Sequence, residues 1–416
     1  MDRGVFCGAG DRHLEMPTVM ARDDGRKRVL HLITGLAVGG AETMLAKLCA
    51  ASDWSRFCHS VASLESGGAL VPRLREMRVE VRELGFAARV PSVRALFRLR
   101  QCVRELRPDV IQGWMYHGNA AALLARTFTS SRMPLAWNVR QSLYDLQNEK
   151  RLSALVIRLN AALSSRVDAI VYNSETSAGQ HEAFGFSAAH REVIPNGFDC
   201  AAFAPDGSER ARMRGALSID DSEVVVGLVS RYHPMKDHRT FIEAVGRAAA
   251  AYPRLRALLV GRGVSRPESG IPQALAANGL AGSAIVLEER QDVAALFNAM
   301  DIACSSSAWG EGFSNAIGEA MACGVPCVVT DVGDSARIVG NNGKVVPARD
   351  VQGFAAALLA LAALGREGRV ALGAAARRRV ESLYSIDAVV TQYESLYDRL
   401  TGHIAAPPSA SFASRP

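Results

Sequence analysis

The stretch Ser305–Asp331 reads SSSAWGEGFSNAIGEAMACGVPCVVTD and carries two glutamates, Glu311 and Glu319, on either side of a loop-to-helix junction. The first amides of a helix have no internal partner and lie at the positive end of its dipole, so such a junction is an anion site. Gly310 and Gly312 let backbone approach a ligand, and Phe313, Ser314 and Asn315 complete the loop. A carboxylate facing a phosphate is repelled. Each glutamate is therefore read as accepting hydrogen bonds from hydroxyl groups to either side of it. Hydroxyls flanking a phosphate on both sides describe a nucleotide sugar. An isolated glutamate is more often a solvated surface charge; the surrounding glycines and the helix stop favour the ligand here.

The elements that would position these groups alternate. A helix is expected from about Asn315 to Cys323, stopped by Gly324 and Pro326, and Val325–Thr330 is a short β-branched run of the buried parallel type. Upstream, a strand at Val224–Ser230 leads into Arg231-Tyr232-His233-Pro234-Met235-Lys236-Asp237. Arg231 at the strand end and Lys236 at the next helix start are expected to face the same crevice as Glu311. Two cations and the helix amides near Asn315 could then carry the charge of a departing diphosphate. Two more strands, Ala257–Val260 and Ile285–Leu287, end in Gly261-Arg262-Gly263 and Glu288-Glu289-Arg290.

The first half repeats the alternation. A strand at Val29–Ile33 runs into Thr34-Gly35-Leu36-Ala37-Val38-Gly39-Gly40 and a helix from Ala41. The glycine spacing is not that of a dinucleotide fingerprint, and no acidic residue follows where a ribose would need it, which disfavours a nicotinamide enzyme. Further strands are expected at Cys58–Leu64, Glu80–Leu84, Val110–Gln112, Pro134–Asn138, Ala169–Asn173 and Glu192–Ile194. The result is an α/β fold of two doubly wound domains. His117 and Asn119 follow the strand at Val110, and Arg140 follows the strand at Pro134, so all three are expected on the ligand side. His117 is a candidate for contacting a sugar hydroxyl or assisting the acceptor, and Arg140 for pairing with an acidic or phosphorylated acceptor.

The ordered run E-G-F-S-N-A-I-G-E followed by A-M-A-C-G-V-P-C-V-V-T-D resembles the signature of retaining, GT-B-fold glycosyltransferases of family 4, and the likeness extends over about residues 28–400. The resemblance implies two Rossmann-like domains facing each other across a cleft. It implies that Gly39 and Gly40 face the diphosphate, that Gly261 and Arg290 lie by the base and ribose, that Glu311 holds sugar hydroxyls and that Glu319 holds the ribose. Arg231, Lys236 and Glu311 are the expected catalytic groups, with His117; Gly312, Phe313, Ser314 and Asn315 join the donor side, and Asn119 and Arg140 the acceptor side. Ser230 stands where the family usually has Gly, and Ser314 where it often has Pro. The implied reaction moves a sugar from a nucleotide-sugar donor, with a UDP-sugar expected, to a hydroxyl on a growing, lipid-linked surface polysaccharide. Rival readings are a non-catalytic scaffold of a polysaccharide assembly complex and a nucleotide-sugar epimerase of the same fold.

The implied division is a tail at residues 1–25, an acceptor-side domain at 26–198, a nucleotide-sugar domain at 199–380, a helix at 381–402 returning to the first domain, and a tail at 403–416. Ile194-Pro195-Asn196-Gly197-Phe198-Asp199 is read as the hinge. Length alone favours two domains. An apolar fraction of 49% with 22% charged residues is ordinary for a globular protein. The net charge of +6 and isoelectric point of about 9.0 favour an anionic substrate or surface. With aromatics at 6% and no basic and aromatic interleaving, nucleic acid is not indicated.

No apolar run is long enough to span a bilayer, and no secretory signal is seen. The eight scattered cysteines read as reduced thiols of a cytoplasmic protein. No D-x-D triplet ends a strand, so neither a metal nor any other cofactor is expected. The helix from Ser92 to Leu106 sets Arg94, Arg98, Arg100 and Arg104 beside Val93, Leu96, Phe97 and Val103, and Lys150–Arg166 is a second basic amphipathic stretch. Each is either a surface helix packed on the sheet or a peripheral contact with an anionic membrane at its inner face.

Overall fold

A computed structural model describes residues 25–86, 92–129, 133–144 and 151–402. Two parallel sheets dominate. The first contains β1 (Lys27–Ile33), β2 (Phe57–Ser63), β3 (Glu80–Glu83), β4 (Val110–Trp114), β5 (Leu135–Val139), β6 (Ala169–Tyr172) and β7 (Arg191–Val193), in the order β3-β2-β1-β4-β5-β6-β7. The second contains β8 (Val224–Val229), β9 (Leu255–Val260), β10 (Ile285–Leu287), β11 (Ile302–Ser305), β12 (Cys327–Thr330) and β13 (Gly343–Val346), in the order β10-β9-β8-β11-β12-β13.

Helices cover both faces of each sheet, so the central strands are buried throughout and are made of runs such as VVVGLV in β8. In the first sheet Val29, Ile33, Leu45 and Tyr393 belong to the core on one face, and Leu30, Leu32, Leu99 and Ile157 to the core on the other. The alternation along β1 follows from the two-residue period of a strand.

Strand order reverses between β1 and β4 in the first sheet and between β8 and β11 in the second. The register pairs Ile33 with Trp114 and Leu228 with Cys304, so the loops leaving the carboxyl ends of each pair lie side by side. These switch points are where open α/β sheets receive ligands.

The chain crosses between the halves twice, and the crossings bond to each other. The Phe198 amide donates to the Tyr384 carbonyl at 2.8 Å, and the Ile386 amide to the Phe198 carbonyl at 2.8 Å. Beyond the second crossing, the helix Ile386–Leu400 packs on the helix Gly40–Ala51 of the first half. Its Tyr397 hydroxyl donates to Gln112 Oε1 at 2.5 Å, and its Glu394 carboxylate accepts from Ser52 Oγ at 2.8 Å and the Asp53 amide at 2.7 Å.

Some element bounds differ from the sequence reading. The run Val325–Thr330 is a strand only from Cys327, because Pro326 has no amide to give the ladder and Val325 closes the preceding turn onto Ala320. The alanine-rich region Asp350–Arg379 is two helices, Val351–Ala363 and Gly365–Leu383, broken where Gly365 takes φ 68°. Strand β13 reads GKVV and is half exposed, so it has no hydrophobic alternation to announce it. The expected tails, apart from Gly25 in the first, and Lys150 lie outside the described residues. Among the described residues no helix is long and apolar enough to cross a membrane.

Candidate functional site

The loops leaving β8 and β11 are stitched together before any ligand is considered. Ser306 Oγ donates to the carbonyls of Lys236 and Asp237 at 2.9 and 3.1 Å, and the Ala308 amide to the Met235 carbonyl at 2.8 Å. This brings Lys236 Nζ into an ion pair with Glu311 Oε1, which also accepts from Ser307 Oγ at 2.7 Å. Glu311 is only 8% exposed, so its carboxylate has a fixed direction. Arg231 is exposed and has no ion pair among the described residues. Burial, then Arg231 and then Lys236 lower the pKa of His233, which places both cations within electrostatic reach of one ring.

Behind this cluster begins the helix Asn315–Ala322, whose N-cap Ser314 makes no side-chain cap. Its leading amides are thus open to an anion. Gly261, at the end of β9, lies so close to the end of β8 that a Cβ would come within 2.0 Å of the Ser230 carbonyl oxygen, and its φ of 154° also favours glycine. Only a residue without a side chain lets the two strand ends meet there.

The first half presents a second uncapped helix. Gly39 is the N-cap of Gly40–Ala51, with no side-chain hydrogen bond. Lys47, in the second turn of that helix, donates to the Gly197 carbonyl at 3.1 Å and acts electrostatically on Glu319, in the second turn of the helix Asn315–Ala322. Burial pushes the Glu319 carboxyl up to about 7, with Lys47 opposing. His117 is half-buried in the first turn of Met115–Arg126, the helix that leaves β4, the strand next to β1. Arg231, Lys236, Glu311, Asn315, Glu319, Gly39, Gly40 and His117 therefore all sit on loops or helix starts at the carboxyl ends of strands around the two switch points.

Other expected site residues are placed differently. The Arg140 guanidinium is buried and occupied: it donates to the carbonyls of Ile194 and Pro195, each at 3.0 Å, to Asn196 Oδ1 at 2.5 Å and to the Tyr393 hydroxyl at 2.8 Å. It ties the hinge to the last helix, and although its buried Nε has no partner, both terminal nitrogens are taken, leaving no exposed fork for an acceptor's acid. Asn119 is fully buried and accepts from the Asn138 amide at 3.2 Å. The Phe313 ring stacks on Phe198 at 6.0 Å and meets Tyr384 edge-on at 5.5 Å, so only its backbone faces the loop. Ser314 is buried too. Arg290 follows the edge strand β10 and forms a bidentate pair with Asp292, with β9 standing between it and the Lys236–Glu311 cluster.

Sequence reasoning missed the groups that join the halves. Asp334 accepts from the amides of Glu175 and Thr176, each at 3.0 Å, and from Thr176 Oγ1 at 2.8 Å, so an acid of the second half caps a helix of the first. Ser142 Oγ donates to the Glu311 carbonyl at 3.1 Å, and Asn196 Nδ2 to Asn315 Oδ1 at 2.7 Å. Asp334 stands just past the carboxyl end of β12, and that position was the available signal; Lys47 and Ser142 carried none.

One trio of metal-ligating types, His31, Cys49 and His59, has donor atoms within 4.8 Å of one another. Trp114 Nε1 donates to His31 Nδ1 at 3.1 Å, so the facing His31 Nε2 carries its proton toward His59 Nδ1 at 2.9 Å. That arrangement fits a neutral hydrogen-bonded pair in the core, because a metal-bound imidazole normally donates from its other nitrogen.

Two facing Rossmann-like sheets, a cleft between their switch points and an open helix start beside a lysine–glutamate pair define a GT-B glycosyltransferase. The chain belongs to the glycosyltransferases of this type: residues 26–197 match the family described as "Glycosyl transferase 4-like domain" and residues 223–363 the family described as "Glycosyl transferases group 1". It is 27% identical over 248 residues to the lipopolysaccharide core biosynthesis mannosyltransferase LpsB of Rhizobium meliloti, covering 56% of this chain and 67% of that protein. It is 30% identical over 231 residues to a phosphatidyl-myo-inositol mannosyltransferase of Mycolicibacterium smegmatis, covering 54% of this chain and 55% of that one. The crystal structure of Anabaena HepE in complex with UDP superposes with a TM-score of 0.77 at 21% identity, over 89% of this chain and all of the other, which shows a shared fold.

Proposed function

We propose that this glycosyltransferase moves a hexosyl unit from a UDP-sugar to a hydroxyl of a lipid-linked surface glycan, with retention of anomeric configuration and without a metal. The observation that carries the reading is the Lys236–Glu311 pair beside the open start of the helix Asn315–Ala322. Lys236, Arg231 and the leading amides of that helix are arranged to take up the charge that gathers on a departing diphosphate. Glu311, held by Ser307, accepts hydrogen bonds from sugar hydroxyls next to the reacting carbon. Glu319 accepts from the ribose, and its raised pKa leaves it partly protonated near neutrality, able to donate as well. The diphosphate itself is the base to which the acceptor proton passes.

A UDP-bound neighbour and relatives named for lipopolysaccharide and phosphatidylinositol glycosylation support the donor and acceptor classes. Exposed Val93 and Phe97 among arginines on Val93–Leu106 support peripheral contact with an anionic bilayer at the cytoplasmic face. The test is release of UDP from UDP-sugars given a polyprenyl-linked oligosaccharide and a chelator. Arg231→Ala, Lys236→Ala and Glu311→Ala should each cost about 100-fold or more in rate with the fold intact. Full activity in all three variants overturns the assignment of the site, and activity abolished by the chelator overturns the metal-free reading.

A further inference from the structure

We propose that the second half holds a separate binding site for a small phosphate-bearing molecule, on the opposite edge of its sheet from the Lys236–Glu311 cluster. A cavity of about 510 Å³ opens there, a volume typical of small-molecule sites. Met300 and Asp301 in its wall lead into β11, and Val325 and Pro326 lead into β12, so the cavity lies at the amino ends of these strands. The donor loops leave from the carboxyl ends. The two regions are therefore distinct.

The cavity has an apolar floor and a cationic rim. Pro205, Met300, Cys323, Val325 and Val370 offer surface for an uncharged body. Five arginines line it against two aspartates, and the pairing among them leaves positive charge over. Asp301 is taken by Arg210 at 2.9 Å and by Arg214 at 3.1 Å, and Asp206 caps its own helix through Ser208 and Glu209. Arg377 pairs with Glu381 at 2.8 Å. Arg366 and Arg378 are exposed and have no ion pair or hydrogen bond among the described residues. Arg369 is buried at 7% exposure; it donates to the Ala362 carbonyl at 3.0 Å and lies 3.9 Å from Asp301, while its Nε lacks a hydrogen-bond partner.

Two unspent guanidinium groups and the unpartnered Nε of the buried Arg369, around an apolar floor, match a phosphate on a compact organic body, because the planar fork of arginine fits phosphate oxygens in pairs. The floor is also rigid. A Cβ on Gly373 would fall 1.8 Å from the Gly324 carbonyl oxygen, so the helix Gly365–Leu383 and the turn at Gly324 meet backbone to backbone. The cavity is built into the fold.

Phenyl phosphate, titrated into the full chain by calorimetry, tests the site. We expect saturable binding, tighter than that of inorganic phosphate, in the native protein and in Lys236→Ala alike. Arg366→Ala with Arg378→Ala should weaken it by about tenfold or more, since hydrogen bonds to charged groups are lost. Ala374→Trp, at an exposed lining position, should block it while leaving every charge in place. Absence of saturable binding overturns the proposal. So does binding that disappears in Lys236→Ala and survives in both cavity variants, which would assign the phosphate to the donor side.

Discussion

At the scale of single residues the site is a set of charges held in unequal surroundings. Glu311 is fixed by a lysine and a serine, whereas burial pushes the Glu319 carboxyl up from the ordinary 4.5 to about 7, with Lys47 opposing. A carboxyl whose pKa is raised by folding favours the native state while it is protonated. That contribution is complete below pH 4.5, shrinks as the pH climbs and is gone above about 7. Glu319→Gln removes the titration, so its stability relative to the native protein should rise across that interval and then level off. Denaturant midpoints at pH 4.5, 6 and 8 check this, and a difference that stays flat would place the carboxylate in water. Glu311, Lys236 and Arg231 were legible in the sequence because each stands within a few residues of a strand end or helix start. Arg140 was misjudged because its partner Tyr393 lies 253 positions away, beyond the reach of any local pattern.

Among the elements, the helix Val93–Leu106 invites the most direct test. Ala95, Leu99, Cys102 and Val103 face the sheet, while Val93 and Phe97 are 85% and 64% exposed among Arg94, Arg98, Arg100 and Arg104. The strand-to-helix direction puts its amino end at the carboxyl edge of the sheet, the side on which open α/β sheets receive ligands. Leu152, Leu155 and Leu159 are exposed on Arg151–Leu163, near the same edge. Both helices contribute to the core cluster on one face of the first sheet. The protein should co-sediment with vesicles containing phosphatidylglycerol and much less with neutral ones. Phe97→Asp should reduce that binding severalfold, because it removes apolar contact and adds a like charge to the surface. Equal sedimentation of the two proteins would remove the helix from the membrane. The central strands were readable because burial on both faces demands unbroken apolar runs, as in β8. Strand β13 was not, since half-exposed GKVV has neither the run nor the alternation.

Taken whole, the molecule is two sheets joined by paired crossings at Phe198 and Ser385, and sealed by Asp334 reaching over to the amides of Glu175 and Thr176. The order of strands and the two-domain plan follow from repeated strand, loop and helix units, which the sequence displays openly. The seal does not follow, because nothing local distinguishes Asp334 from other acids after strands. The last helix belongs physically to the first sheet: Tyr393 and Tyr397 are fully buried there against residues made far earlier. Truncation after Ser385 should therefore loosen the first half and spare the second, since Tyr384 of the second core is kept. Hydrogen exchange should rise across β1, β4 and the helix Gly40–Ala51, while β8, β11 and β12 stay protected. Uniform protection in the truncated protein would refute this.

The same arrangement bears on how the chain is made. A ribosome delivers the amino-terminal layers first, yet the aromatic wedge that closes them emerges only after the whole of the second sheet. During synthesis the early half waits unfinished while the later one can already collapse on itself, so the first domain is completed after the second.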